Sequence, residues 1–181
     1  PVTVTYRGGS ARVGGMRGRA KTQLALSVSN MPLSVLDLSN SNLGLGGLAT
    51  GDVSYSRVGA AAPTASASLR VKGLTRSGVI NTSAPIDMAV NAKLNADRLA
   101  VRALAASGGA IIGRAQALLT PLGRGSIIER LQSAPMQAQI RYAGPAETLW
   151  RLTAIEIIDL SGPVSVAADV RGTLASPVIN G

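Results

Sequence analysis

The feature that most constrains this chain is an alternation of apolar and polar residues that restarts repeatedly along its length. Successive side chains of a β-strand point to opposite faces, so apolar residues at every second position collect on one face. Leu24, Leu26 and Val28 follow this spacing, as do Val53 with Tyr55, and Leu69 with Val71. From Ile86 to Leu94 the even positions are apolar, beginning with Ile86, Met88 and Val90. Met136, Ala138 and Ile140 repeat the spacing, and Val164, Val166, Ala168 and Val170 close it. Charges such as Arg70 and Lys72 fall in the gaps. The pattern predicts a mainly β fold, an antiparallel or mixed sheet with one apolar face and one wet face.

Between these segments lies turn chemistry. Gly8-Gly9, Gly14-Gly15, Gly46-Gly47, Gly59, Gly73, Gly78, Gly108-Gly109, Gly123, Gly144 and Gly162 read as turns, while Pro63, Pro85, Pro135, Pro163 and Pro177 suit strand starts, where a missing N–H is tolerated. Two stretches break the alternation and predict short helices. Residues 126–131 carry Ser126 as N-cap with Ile127, Ile128 and Leu131 as the apolar set; residues 145–152 carry Pro145 at the first helical position and Glu147 near the positive end of the dipole. A weaker helical signal covers 32–38, and the Ala-rich run Leu99–Ala106 fits either strand or helix. Ser83-Ala84-Pro85-Ile86 recurs as Ser133-Ala134-Pro135-Met136, each time opening an alternating strand. Such reuse favours an elongated sheet over a compact sandwich, and 1–181 reads as a single segment excised from a longer chain.

The composition removes most chemistry. With no Cys and no His, the chain has no thiol nucleophile, none of the usual zinc or haem ligands and no imidazole base. Most of the 9 acids fall at outward strand positions or helix starts, and only 2% of residues are aromatic, too few to stack sugars beside a carboxylate pair. Gly108-Gly109-Ala110-Ile111-Ile112-Gly113 lacks the strand, long helix and later acid of a dinucleotide fingerprint. The expectation is a protein that is not an enzyme and takes no cofactor or metal.

The net charge is +9, which suggests an anionic partner. Binding of single-stranded nucleic acid wants aromatics among the charges, and only Tyr6, Tyr55, Tyr142 and Trp150 exist, so nucleic acid is not expected. Arg7, Arg12, Arg17, Arg19 and Lys21 cluster near the start; the other basic residues are spaced singly, as on a solvated sheet face or one that meets acidic lipid headgroups. No apolar run is long enough for a membrane-spanning helix, and too few aromatics exist for the girdles of a transmembrane barrel.

At the end of the chain Leu160-Ser161-Gly162-Pro163-Val164-Ser165-Val166-Ala167-Ala168-Asp169-Val170-Arg171-Gly172-Thr173-Leu174-Ala175-Ser176-Pro177-Val178-Ile179-Asn180-Gly181 resembles the recurring signature of the TamB family: a Gly-led alternating strand, Gly-Thr-Leu, two small residues, Pro, an apolar residue and a closing Gly. Leu45-Gly46-Gly47-Leu48 to Pro63 is similar to a degenerate copy, departing at Arg57-Val58-Gly59, and Pro145 to Leu152 followed by Leu160-Ser161-Gly162 matches the family's order of short helix then strand. The resemblance implies a periplasmic protein, anchored in the inner membrane outside this segment, whose β-sheet folds lengthwise into a taco with an apolar interior. It also implies a TamA-type outer-membrane barrel as partner, and a role in outer-membrane biogenesis: assembly of outer-membrane proteins, including autotransporters, and phospholipid transfer like that of AsmA-like bridge proteins. The expected groove is lined by the alternating apolar residues named above. Competing expectations are a structural β-solenoid spacer or adhesin-like stalk, and a binder of anionic polymer.

Overall fold

The computed structural model describes residues 1–18, 20–38, 43–77, 84–121, 127–151 and 161–181, with backbone only for Leu38, Ile127, Ile128 and 149–151. The described residues are mainly strand. In order they are β1 (Val2–Tyr6), β2 (Gly9–Arg17), β3 (Lys21–Pro32), β4 (Leu45–Val58), β5 (Thr64–Arg76), β6 (Ile86–Asn95), β7 (Arg98–Ser107), β8 (Ala110–Leu119), β9 (Met136–Pro145), β10 (Pro163–Gly172) and β11 (Pro177–Asn180). Each strand pairs antiparallel with the next, giving one open 11-stranded meander with β1 and β11 at its edges. All pairings are antiparallel, so the mixed sheet allowed by the sequence pattern is not the one formed. Antiparallel neighbours need only short connections, and the Gly and Asn/Asp turns supply them.

The longer connections carry the helices. A 3-10 helix (Leu33–Leu38) joins β3 to β4, α1 (Ile127–Gln132) lies between β8 and β9, and α2 (Ala146–Arg151) between β9 and β10. Pro145 is the last residue of β9, paired with Pro163, rather than the first of α2; Glu147 does sit in the first turn of α2. Ser126, Leu152, Gly78 and Gly123 fall outside the described residues. Leu99–Ala106 is strand, within β7.

The prolines open strands as expected, but several glycines do not turn the chain. Gly14 and Gly15 lie within β2, Gly46 and Gly47 within β4, Gly73 within β5, Gly113 within β8 and Gly144 within β9. For all of these but Gly14, the reason is contact with a neighbouring strand or a bulge. A Cβ at Gly51 in β4 would stand 2.9 Å from the Leu69 Cα and overlap the Ser68 carbonyl. Gly47 and Gly73, at φ +111° and +64°, accompany the register shifts between β4, β5 and β6, where an extra residue bends and twists a strand. The turn between β6 and β7 has no glycine; Ala96 takes its left-handed position at φ 49°.

Two small cores form on one face, at opposite ends of the strands. Leu119, Ala134, Met136 and Val170 make the first, with Leu99, Ala117 and Ala138 against them. Ile86, Ile112 and Tyr142 make the second, with Met88, Ala105 and Val164.

Candidate functional site

The strand register assembles the apolar face row by row. One row crosses every strand: Val2, Val13, Leu26, Val53, Ala67, Ala92, Val101, Ala117, Ala138, Val170 and Ile179, each the direct partner of the next. No polar side chain interrupts it. With strands about 4.8 Å apart, the row runs for about 48 Å. The next row toward the β1–β2 turn is Val4, Ala11, Val28, Gly51, Leu69, Val90, Ala103, Ala115, Ile140 and Ala168. Beyond it come Met31, Ala49, Val71, Met88, Ala105, Gly113, Tyr142 and Val166. On the other side lie Leu24, Tyr55, Ala65, Leu94, Leu99, Leu119 and Met136.

Every residue expected to line the apolar face therefore lies on one face of the sheet. Leu24, Tyr55 and Met136 share a row, as do Leu26, Val53, Ala138 and Val170; Val28, Leu69, Val90, Ile140 and Ala168; and Val71, Met88 and Val166. Ile86 and Val164 stand at the end, paired with Leu74 and Gly144. The face is only partly covered: Val53 and Leu69 are each 39% exposed and Ile140 41%. Several members were missed from the sequence. Val2 and Val4 belong to a strand too short to count, and Ala103, Ala105, Ala115 and Ala117 alternate with polar neighbours but add little hydrophobic contrast.

Side-chain size grades across this face in β7, β8 and β9. The middle is mostly small, with Ala103, Ala115, Ala117 and Ala138 beside Val101 and Ile140, while the ends carry Leu99, Leu119 and Met136 on one side and Ile112 and Tyr142 on the other. Those larger ends are the two small cores, held by the helical connections. At the first, the Ala175 N–H donates to the Gln132 carbonyl (3.1 Å) and Arg130 Nη2 to the Pro121 carbonyl (2.8 Å), tying α1 down. At the second, the Tyr142 hydroxyl donates to the Pro145 carbonyl at 2.7 Å, and Thr148 of α2 is buried beside it. Burial pushes the Tyr142 hydroxyl above its usual pKa; a hydrogen bond from Thr148 works against that, and the nearby Glu147 charge adds to it.

The opposite face is mainly polar, although Met16, Leu48, Leu104 and Leu118 also stand on it. Thr3, Arg12, Ser27, Asp52, Ser68, Asn91, Arg102, Gln116, Gln139, Asp169 and Asn180 form a row through all the strands. Shallow hollows lie over this face, one of about 750 Å³ spanning β2 to β7 and others of about 370 and 430 Å³ toward β10. Among the described residues no three acidic side chains gather where they could hold a metal ion, and no helix is long and apolar enough to cross a membrane. No family model, no curated protein and no solved structure matches the chain.

Proposed function

We propose that the aliphatic face is a lipid-handling surface, and that the chain is part of a TamB-like, non-enzymatic translocation and assembly module. In this reading the sheet curls lengthwise, taco-fashion, about the aliphatic face. Acyl chains of phospholipid then lie across the strands on their way to the outer membrane. The same face could hold the apolar side of an unfolded outer-membrane protein. The setting is the periplasm, with the full-length chain anchored in the inner membrane and a TamA-type barrel as its partner.

The observation that carries the reading is the unbroken aliphatic row through all 11 strands, left half-exposed and floored by alanine between two larger flanks. A sheet meant only to space two ends apart would bury such a face. Covering apolar surface contributes about 25 cal/mol per Å², or about 0.8 kcal/mol per methylene removed from water. One acyl chain therefore supplies several kcal/mol while asking for no particular headgroup. A face of Ala, Val, Leu and Ile suits a sliding occupant, since it offers few deep pockets to arrest one.

The test is mass spectrometry of lipid extracted from the purified protein, beside the Val166→Arg variant. Val166 is 36% exposed on the aliphatic face, so an arginine there can turn its head to water while its charge crosses the path. Phospholipid should accompany the parent protein and be largely lost from a folded variant. A lipid-free parent protein, or equal lipid on both, would overturn the reading and favour the spacer.

A further inference from the structure

The polar face holds an arrangement that sheet stability alone does not favour. Arg114 of β8 is the direct cross-strand partner of Arg141 of β9. Like charges directly opposite one another destabilise a sheet. The neighbouring row solves the same pairing without charge: Gln116 faces Gln139, and Gln116 Nε2 donates to Gln139 Oε1 at 2.8 Å. Arg102 of β7 continues that row as the partner of Gln116. The three arginines and two glutamines line a single hollow of about 430 Å³, and no Asp or Glu is among its lining residues.

The guanidiniums are not equivalent. Arg141 Nη1 donates to the carbonyls of Ile140 (3.0 Å) and Ala168 (3.4 Å), which holds that group against the sheet. Arg102 and Arg114 have no hydrogen-bond or ion-pair partner among the described residues. One anchored and two unpaired guanidiniums thus converge on a hollow that no carboxylate lines, while Asp169, the cross-strand partner of Gln139, lines the adjoining one. Arginine's planar fork donates in parallel to two oxygens of one anion, and several forks together suit a group with three peripheral oxygens and up to two charges.

We infer that this hollow binds a phosphate group, as a phosphomonoester or phosphodiester, with Arg102, Arg114 and Arg141 as its cationic wall. Gln139 supplies a neutral donor, its amide oxygen being occupied by Gln116. The site faces away from the aliphatic surface and does not depend on the lipid reading. Two sources share this chemistry: a soluble phosphate ester, and the headgroup layer of an acidic membrane over which the polar face lies.

Thermal unfolding of the purified protein in chloride and in inorganic phosphate, at equal ionic strength, tests the site. Anything that binds only the folded state raises its melting temperature. Phosphate should raise that of the parent protein by several degrees and leave R114Q/R141Q unmoved. In chloride the variant should melt no lower than the parent, because the repulsion is gone. Broadening of the phosphorus NMR signal of inorganic phosphate by the parent protein gives a readout that does not require the variant to fold. Equal phosphate effects on parent and variant, or no broadening, would overturn the site. Glycerol 3-phosphate and phosphatidylglycerol vesicles then separate the sources. Binding of the small ester with no vesicle binding marks a soluble ligand; vesicle binding lost in R114Q/R141Q marks a headgroup.

Discussion

Tyr142 donates its hydroxyl to the carbonyl of Pro145, 2.7 Å away, so the end of β9 is fastened by its own side chain just where α2 begins. The ring lies near Gly113 and Gly144: a Cβ at Gly144 would come within 3.0 Å of the Tyr142 hydroxyl and 3.2 Å of Ile112. Tyr142→Phe keeps the ring and removes the bond, at an expected cost of about 1 kcal/mol. The pH dependence has a definite sign. Burial favours the neutral hydroxyl, so the folded pKa lies above the ordinary value of 10.0. That contribution is complete below the unfolded pKa and is lost as pH rises through the folded one. Melts across this alkaline window should show the parent protein losing stability faster than Tyr142→Phe; parallel curves would refute the assignment.

Gly51 tests whether strand glycines reflect close approach rather than turning. It lies within the aliphatic rows, between Val28 and Leu69, where a Cβ would overlap the Ser68 carbonyl. Gly51→Val has better intrinsic strand propensity, yet it should destabilise the fold by about 2 kcal/mol, in the range of overpacked sites. Chemical denaturation measures it. A neutral or stabilising result would mean that β4 and β5 are not so closely seated.

The two faces were legible before the fold was. Period two is a property of the strand backbone, so Leu24 to Val28, Ile86 to Val90 and Val164 to Val170 could be assigned to one face without knowing what they paired with. Pro135 and Pro163 likewise marked strand starts, because a missing N–H limits where proline can stand. Strand membership of Leu99–Ala106 was not legible: alanine favours helix locally, and pairing with β6 and β8 decided the matter. Gly46, Gly47 and Gly144 were read as turns because their function is to admit a neighbouring chain or a bulge, and that neighbour lies far away in sequence. The arginine pair was invisible for the same reason, since Arg114 and Arg141 meet only through the β8–β9 register.

The sheet's edges carry the next expectation. β1 and β11 are short, and they expose Val4 at 56% and Ile179 at 67% beside unpaired backbone. Unprotected edges template pairing with another chain, and an edge lysine discourages it. The purified protein should therefore associate as its concentration rises, and the V4K/I179K variant should stay monomeric in light scattering after size exclusion. Identical mass profiles would show that the edges are not the points of contact.

The alanine floor gives a test of the aliphatic face that separates shape from charge. Ala115 lies at its centre, between Ala103 of β7 and Ile140 of β9. Ala115→Trp adds no charge, fits the strong strand propensity of aromatics and adds bulk to a face where neighbouring Ile140 is still 41% exposed. The fold should persist, with a melting temperature near that of the parent. Bound acyl chains should fall several-fold, because the indole occupies the strip between the larger flanks and covers the surface an acyl chain would bury. Ser68→Trp places the same ring on the polar face of β5 and should leave lipid content unchanged. Equal loss in both variants would point to a general effect of the bulky ring, and equal retention would mean that the occupant does not lie along the alanine strip. Loss confined to Ala115→Trp would locate the path by size alone, which a charge substitution such as Val166→Arg cannot do.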